Sequence, residues 1–211
     1  MIYYSIIGNM ARYEAMHDPK QYITEEQALK AIESTTNVRD ELLLKLLWYT
    51  GGRVTEIITI TINNINVKDR FVTISSLKKK GEAYRDVPVP DQLIKDIESF
   101  INRGGTSGSE YLFTANGKKP ISRQAAYAIV RAACEKSGMK SIGDPRVTKR
   151  GLHPHPHSFR HGFAMNWFKH DGRAEPLQDM LGHKNYETTR SYQRFTPIDL
   201  KKEYDKTLAK P

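Results

Sequence analysis

"NNINVKDRFVTISSLKKKGEAYRDVPVP", residues 63–90, separates this chain from an all-helical protein. Short β-branched runs fall around Val67, from Val72 to Ile74 and from Val87 to Val89, with turn signals at "KDR" and "KKKGE". Such runs between polar turn clusters read as strands. The stretch predicts a small antiparallel sheet made of two hairpins.

The chain on either side is patterned for helices. In "ITEEQALKAIES", Thr24 and Gln27 stand as a capping box at a helix start. "VRDELLLKLLWYTGGR" is a strongly apolar helix whose leucines and tryptophan belong to a core, and the Gly51–Gly52 pair ends it. Further helices are predicted over 91–103, 121–137, 157–170, 174–182 and 187–195. One more is expected in "TPIDLKKEYDKTLAKP", where Thr196 and Pro197 suit a cap and a first helical position. The fold class is α+β: a mostly α-helical single domain with a small antiparallel β-sheet insert. Residues 1–22 are poorly patterned and read as an N-terminal segment or linker remnant. The domain runs over 23–196, and 197–211 form a basic C-terminal segment.

A chain of 211 residues suffices for one well-buried domain. With 38% hydrophobic and 27% charged residues it reads as soluble and globular. No apolar run approaches the roughly 20 residues that cross a bilayer. The N-terminus lacks the basic start and small-residue cleavage site of a signal peptide. Cys134 is the only cysteine, so neither an intrachain disulfide nor a thiolate metal cluster can form, which fits a cytoplasmic location. Lys and Arg number 33 against 24 acids, a net charge of +9. That bias suits a polyanionic partner, and without an amphipathic basic helix nucleic acid is favoured over a membrane. Charge alone also fits a merely basic protein.

The chemistry concentrates in "GLHPHPHSFRHGFAMNW", residues 151–167. Pro156 suits the first turn of a helix on which His157, Arg160 and His161 lie near one face. Histidines at this spacing invite a metal reading. No acid follows until Asp171, however, and a permanently cationic Arg160 among them repels a metal ion. The plain alternative is a helix with solvated basic residues, His153 and His155 being loop. A third reading is a phosphate grip: Arg offers a planar fork to two oxygens and His a proton donor or acceptor.

Three other stretches fit the third reading: "TGGRVTEI", "KKKGEAYRDVPV" and "LGHKNYETTRSYQRF". Together with "HSFRH" they resemble the tyrosine site-specific recombinases, the family of the Xer proteins, the lambda-type phage integrases and Cre. In that family an Arg follows a helix-ending turn with an acid three residues on, as do Arg53 and Glu56 here. A hairpin Lys stands eight residues before a Val-Pro proline, matched by Lys80 and Pro88, with Arg85 between. His-x-x-Arg-His is matched by His157, Arg160 and His161, and Leu-Gly-His by Leu181, Gly182 and His183. The nucleophilic Tyr stands nine residues beyond that His, here Tyr192. The match covers roughly residues 22–200. Gly162 stands where the family usually has Ser or Thr, and Phe159 where Leu is common.

The resemblance implies a tyrosine recombinase, a DNA strand transferase that integrates or recombines DNA. Tyr192 attacks the scissile phosphorus, forming a 3′-phosphotyrosyl link and freeing a 5′-OH. Bonds of equal class are exchanged, so no cofactor, metal or ATP is implied. Arg53 and Arg160 would clamp the phosphate, His183 donate to a non-bridging oxygen, His157 accept the Tyr proton, and Lys80 protonate the leaving oxygen. Glu56 would orient the basic groups and His161 support them. Lys79 rivals Lys80, and Tyr186 rivals Tyr192. Lys79, Arg85, Lys118, Lys119, Arg123, Lys149 and Arg150 are candidates for DNA-backbone contacts, with surface solvation as the rival reading. The implied partners are double-stranded DNA, three more copies in a tetramer on DNA, with segment 197–211 a candidate for exchange between protomers, and an accessory DNA-bending or directionality protein. The family usually adds an N-terminal helical domain that clamps DNA from the other face. Residues 1–22 leave no room for one, so weak unaided DNA binding is expected. The alternative is a recombinase-like module that binds DNA without cutting it on its own.

Overall fold

The structure is a computed structural model describing residues 22–75, 84–139, 141–142 and 153–182. Helix α1 spans Glu25–Glu33 and opens as its sequence dictates: the Thr24 hydroxyl accepts from the Gln27 N–H, and the Gln27 side chain accepts from the Thr24 N–H. Helix α2, Val38–Thr50, buries Leu42, Leu43, Leu44, Leu46, Leu47 and Trp48. A helix apolar on nearly every side must be surrounded. It is: α1, α4 (Asp91–Asn102), α5 (Arg123–Lys136) and α6 (Pro156–Lys169) all pack on it. Gly51 ends α2 with φ 58°, the left-handed cap that glycine takes without steric cost. A five-residue helix, α3 (Val54–Ile58), follows at once.

The sheet has the predicted two-hairpin topology, with strands β1 (Ile65–Asn66), β2 (Phe71–Ser75) and β3 (Tyr84–Pro88) in the order β1-β2-β3. Val72 pairs with Val87, and Ile74 with Arg85. Val72, Ile74 and Val87 point into the core, the alternation expected of a half-buried antiparallel sheet. The first strand differs from the sequence expectation. Val67 is exposed in the turn after β1, and the pairing ends at Asn66, where the Asn66 and Asp69 side chains organise the turn. The long connection from α4 to α5 is stitched to the segment before the sheet by Ile62 N–H to Glu110 O and Leu112 N–H to Ile60 O, and it buries Leu112 and Phe113 completely.

Helix α6 begins at Pro156, as predicted, and lies tightly on α2. A β-carbon on Gly162 would stand 2.2 Å from the Ile23 carbonyl oxygen and 2.8 Å from Trp48. Glycine at this point, unlike the family's usual hydroxyl residue, lets the segment before α1 approach the α6 backbone. The last described helix, α7 (Ala174–Leu181), ends at Gly182 in a left-handed cap, φ 63°. Among the described residues no helix is long and apolar enough to cross a membrane. The helices expected over 187–195 and beyond Thr196 lie outside the described residues.

Candidate active site

The site is built on the C-terminal ends of two helices. Arg160 projects inward from α6 and is 1% exposed. Its Nη1 donates to Gly51 O at the end of α2 (2.7 Å), and its Nη2 donates to Leu181 O at the end of α7 (2.8 Å). Helix ends leave carbonyls without intrahelical partners and carry partial negative charge, so a buried guanidinium is stabilised between two of them. The reading of this helix as a bearer of solvated basic residues does not hold for Arg160. These two bonds fix the plane of the guanidinium and bring both helix ends to one point.

Arg53 follows two residues after the carbonyl that Arg160 holds. It enters α3, and Glu56 in that helix's first turn secures it twice: the Arg53 N–H donates to Glu56 Oε2 (2.9 Å) and its Nη1 donates to Oε1 (2.9 Å). The Arg53 side chain is 29% exposed, unlike that of the buried Arg160. Glu56 is 2% exposed and also accepts from Arg85 Nη2 (2.6 Å). Burial pushes the Glu56 carboxyl up. The hydrogen bond and charge of Arg85, then the backbone and side-chain hydrogen bonds from Arg53, more than offset that and hold it below the usual carboxylate range. Glu56 thus ties the Arg53 and Arg85 guanidiniums to one carboxylate.

Arg85 was a candidate DNA contact, yet it turns inward. Its Nε donates to Met180 O (2.7 Å) near the end of α7, and its side chain is 11% exposed. The sequence carried this signal unread: Arg85 shares its face of β3 with Val87, which is fully buried. Gly182 lies against the same guanidinium, since a β-carbon there would be 3.1 Å from Arg85 Nη1.

His157 sits exposed on α6, edge-on to the half-buried His161 with ring centroids 4.3 Å apart. The ring row continues through His155 to Tyr127, over which Arg123 lies 5.4 Å from the centroid. His155 is therefore no plain loop residue. It occupies the N-cap of α6, its Nδ1 is buried with no hydrogen-bond partner among the described residues, and burial lowers its pKa. Lys118, Lys119 and Arg123 are exposed near the start of α5. Among the described residues no three His, Cys, Asp or Glu side chains gather as metal ligands. Lys79, Lys80, Lys149, Arg150, His183, Tyr186 and Tyr192 lie outside the described residues. Arg53, Glu56, Arg85 and Arg160 are the predicted residues brought together here, and the chain leaves them towards His183 directly after Gly182.

The fold is that of tyrosine recombinase catalytic domains. The crystal structure of XerA recombinase matches 90% of this chain and 66% of its own, with a TM-score of 0.71 and 22% identity. XerH site-specific recombinase, solved bound to its difH substrate in a pre-cleavage complex, matches 90% of this chain and 55% of its own, with a TM-score of 0.72 and 20% identity. The chain belongs to the phage integrase family, whose model matches residues 21–197, and within it to the tyrosine recombinases. Tyrosine recombinase XerA of Pyrococcus furiosus is 30% identical over 94% of this chain and 68% of its own length. Tyrosine recombinase XerD of Staphylococcus aureus is 30% identical over 79% of this chain and 54% of its own. The chain thus spans about two thirds of the XerA relative and about half of XerD.

Proposed function

We propose that this chain cuts and rejoins DNA strands as a site-specific recombinase through a 3′-phosphotyrosyl intermediate at Tyr192. The observation that carries the reading is the seat of Arg160. It is buried, fixed on the carbonyls of Gly51 and Leu181, and gathers the turn bearing Arg53 and the turn leading to His183. Two fixed guanidiniums suit the charge that gathers on the phosphorane when no metal serves that purpose. Arg53 and Arg160 clamp the scissile phosphate, and His183 donates to a non-bridging oxygen. His157 accepts the Tyr192 proton as the Tyr oxygen bonds to phosphorus. The P–O5′ bond breaks, and Lys80 protonates the leaving oxygen. A 5′-OH then reverses the step. His161 supports His157, and Glu56 orients Arg53. The substrate is double-stranded DNA in the cytoplasm. Four copies assemble on it, segment 197–211 passes between protomers, and an accessory DNA-bending or directionality protein sets the outcome.

Covalent trapping tests this. The protein is incubated, with a chelator present, with a random duplex library nicked near its centre, and protein-linked DNA is recovered after denaturation. An adduct is expected, and Tyr192→Phe is expected to lose it while binding DNA as before. An adduct that persists in the variant would move the nucleophile elsewhere, with Tyr186 next in line. Salt-sensitive binding without any adduct would favour the module that binds DNA but does not cut it.

A further inference from the structure

We propose that Thr50 is a positioning residue for Arg53 and Arg160: its buried hydroxyl fixes the plane of the Gly51–Gly52 peptide, whose carbonyl seats Arg160 and whose far end leads into Arg53. This deepens the recombinase reading of the site and rests on it.

Thr50 is the last residue of α2 and is fully buried. Its Oγ1 donates to Leu46 O one turn back (2.6 Å) and accepts from the Gly52 N–H (3.1 Å). A threonine that bonds back to the carbonyl four residues earlier is ordinary in helices. This one also holds the chain beyond the helix. Gly52 is buried, and among the described residues no other group accepts from its N–H. The carbonyl of the same peptide, Gly51 O, accepts from Arg160 Nη1 (2.7 Å), and Arg160 Nη2 continues to Leu181 O (2.8 Å). One rigid peptide plane is thus gripped at both edges, by Thr50 on its N–H and by Arg160 on its oxygen. Glycines flank that plane, so their own backbone preferences set its angle weakly. The following peptide is fixed by Glu56, which accepts from the Arg53 N–H (2.9 Å). Without the hydroxyl, a buried N–H loses its acceptor, and turning the peptide is the way to relieve that cost. The turn would carry Gly51 O away from Arg160 and shift the start of Arg53. A displacement of about 1 Å at a reacting site can cost about 100-fold in rate.

Two pairs of proteins isolate the hydroxyl oxygen: the parent against Thr50→Val, and Thr50→Ser against Thr50→Ala. DNA affinity and adduct rate at saturating DNA are measured on the cleavage site found by trapping, at a temperature where circular dichroism shows each protein folded. The rate is expected to fall about 10- to 100-fold within each pair, with affinity held within about twofold. Thr50→Ser should stay within about threefold of the parent, and a pair with a member that does not fold leaves the other pair to decide. Parent rates in Thr50→Val and Thr50→Ala, with only their urea midpoints lowered, would make Thr50 a packing residue and overturn the proposal. So would equal losses in Thr50→Ser and Thr50→Ala, which would assign the effect to the missing methyl group. If the parent protein forms no adduct, the recombinase reading fails by itself. The positioning is then read by NMR from hydrogen exchange of the Arg160 guanidinium in protein labelled with 15N-arginine. Exchange about 10-fold faster in Thr50→Val than in the parent is expected, and equal exchange would overturn the proposal.

Discussion

A carboxylate with 2% of its side chain exposed must be compensated by cations, and Glu56 has two, Arg53 and Arg85. Their hydrogen bonds, with the charge of Arg85, hold its carboxyl below the ordinary glutamate value despite the opposing effect of burial. In the acid range the folded chain therefore binds fewer protons at this group than the unfolded chain does. Its contribution to stability is complete above the unfolded glutamate pKa, about 4.3, and is lost as the pH falls through the folded value. Glu56→Gln is expected to cost about 3 kcal/mol at pH 7, the low end for removing one partner of a buried ion pair, because glutamine still accepts a hydrogen bond. The same variant should lose less further stability than the parent between pH 5 and pH 3. Urea midpoints at several pH values read both effects. Parallel acid profiles for the two proteins would mean that the ion pairs do not set the titration of Glu56.

The turn from α2 to α3 supplies both the carbonyl that seats Arg160 and the backbone that carries Arg53. Its geometry depends on Gly51 at φ 58°, and a β-carbon there would stand 2.5 Å from Phe163 Cδ1 and 2.8 Å from Leu181 Cδ2. Gly51→Ala combines left-handed strain of about 1 kcal/mol with overpacking of about 2 kcal/mol, so a loss near 3 kcal/mol is expected by urea unfolding. Because Phe163 belongs to α6 and Leu181 to α7, the displacement should reach Arg160 from both sides. The adduct rate of the folded variant should then fall by at least 10-fold. A stable variant with full activity would show that the turn tolerates another path. This turn was legible in the sequence, since a glycine pair after an apolar helix has few other uses. So were the capping box at Thr24 and the helix start at Pro156. The inward turn of Arg85 was legible only through β3 alternation, because a basic residue in a hairpin is ordinarily a surface cation. The burial of Arg160 was not legible at all, because the carbonyls that receive it come from helices far apart in the chain.

Over the whole molecule the net charge of +9 predicts a polyanion partner but not where that partner lies. The arrangement of the described residues narrows the choice. Lys118 and Lys119 are exposed on a turn whose backbone is fixed by Ala115 N–H and the Thr114 hydroxyl, both donating to Lys119 O. Arg123 follows at the start of α5, over the Tyr127 ring. From that ring the row of His155, His157 and His161 leads to the site. A duplex held at the site has reason to continue over this patch. If each of the three cations neutralises one phosphate, each contributes about 0.9 to the slope of log affinity against log salt. Replacing Lys118, Lys119 and Arg123 together by Gln is then expected to flatten that slope by nearly 3 and to weaken binding about equally for unrelated sequences, because phosphate contacts position DNA without reading it. The rate of adduct formation at saturating DNA should stay at the parent value, since none of the three belongs to the arginine cluster. Titrations on two unrelated duplexes at 50 to 200 mM salt separate the outcomes. An unchanged slope would return the three residues to ordinary surface solvation and place the path of the DNA on another face.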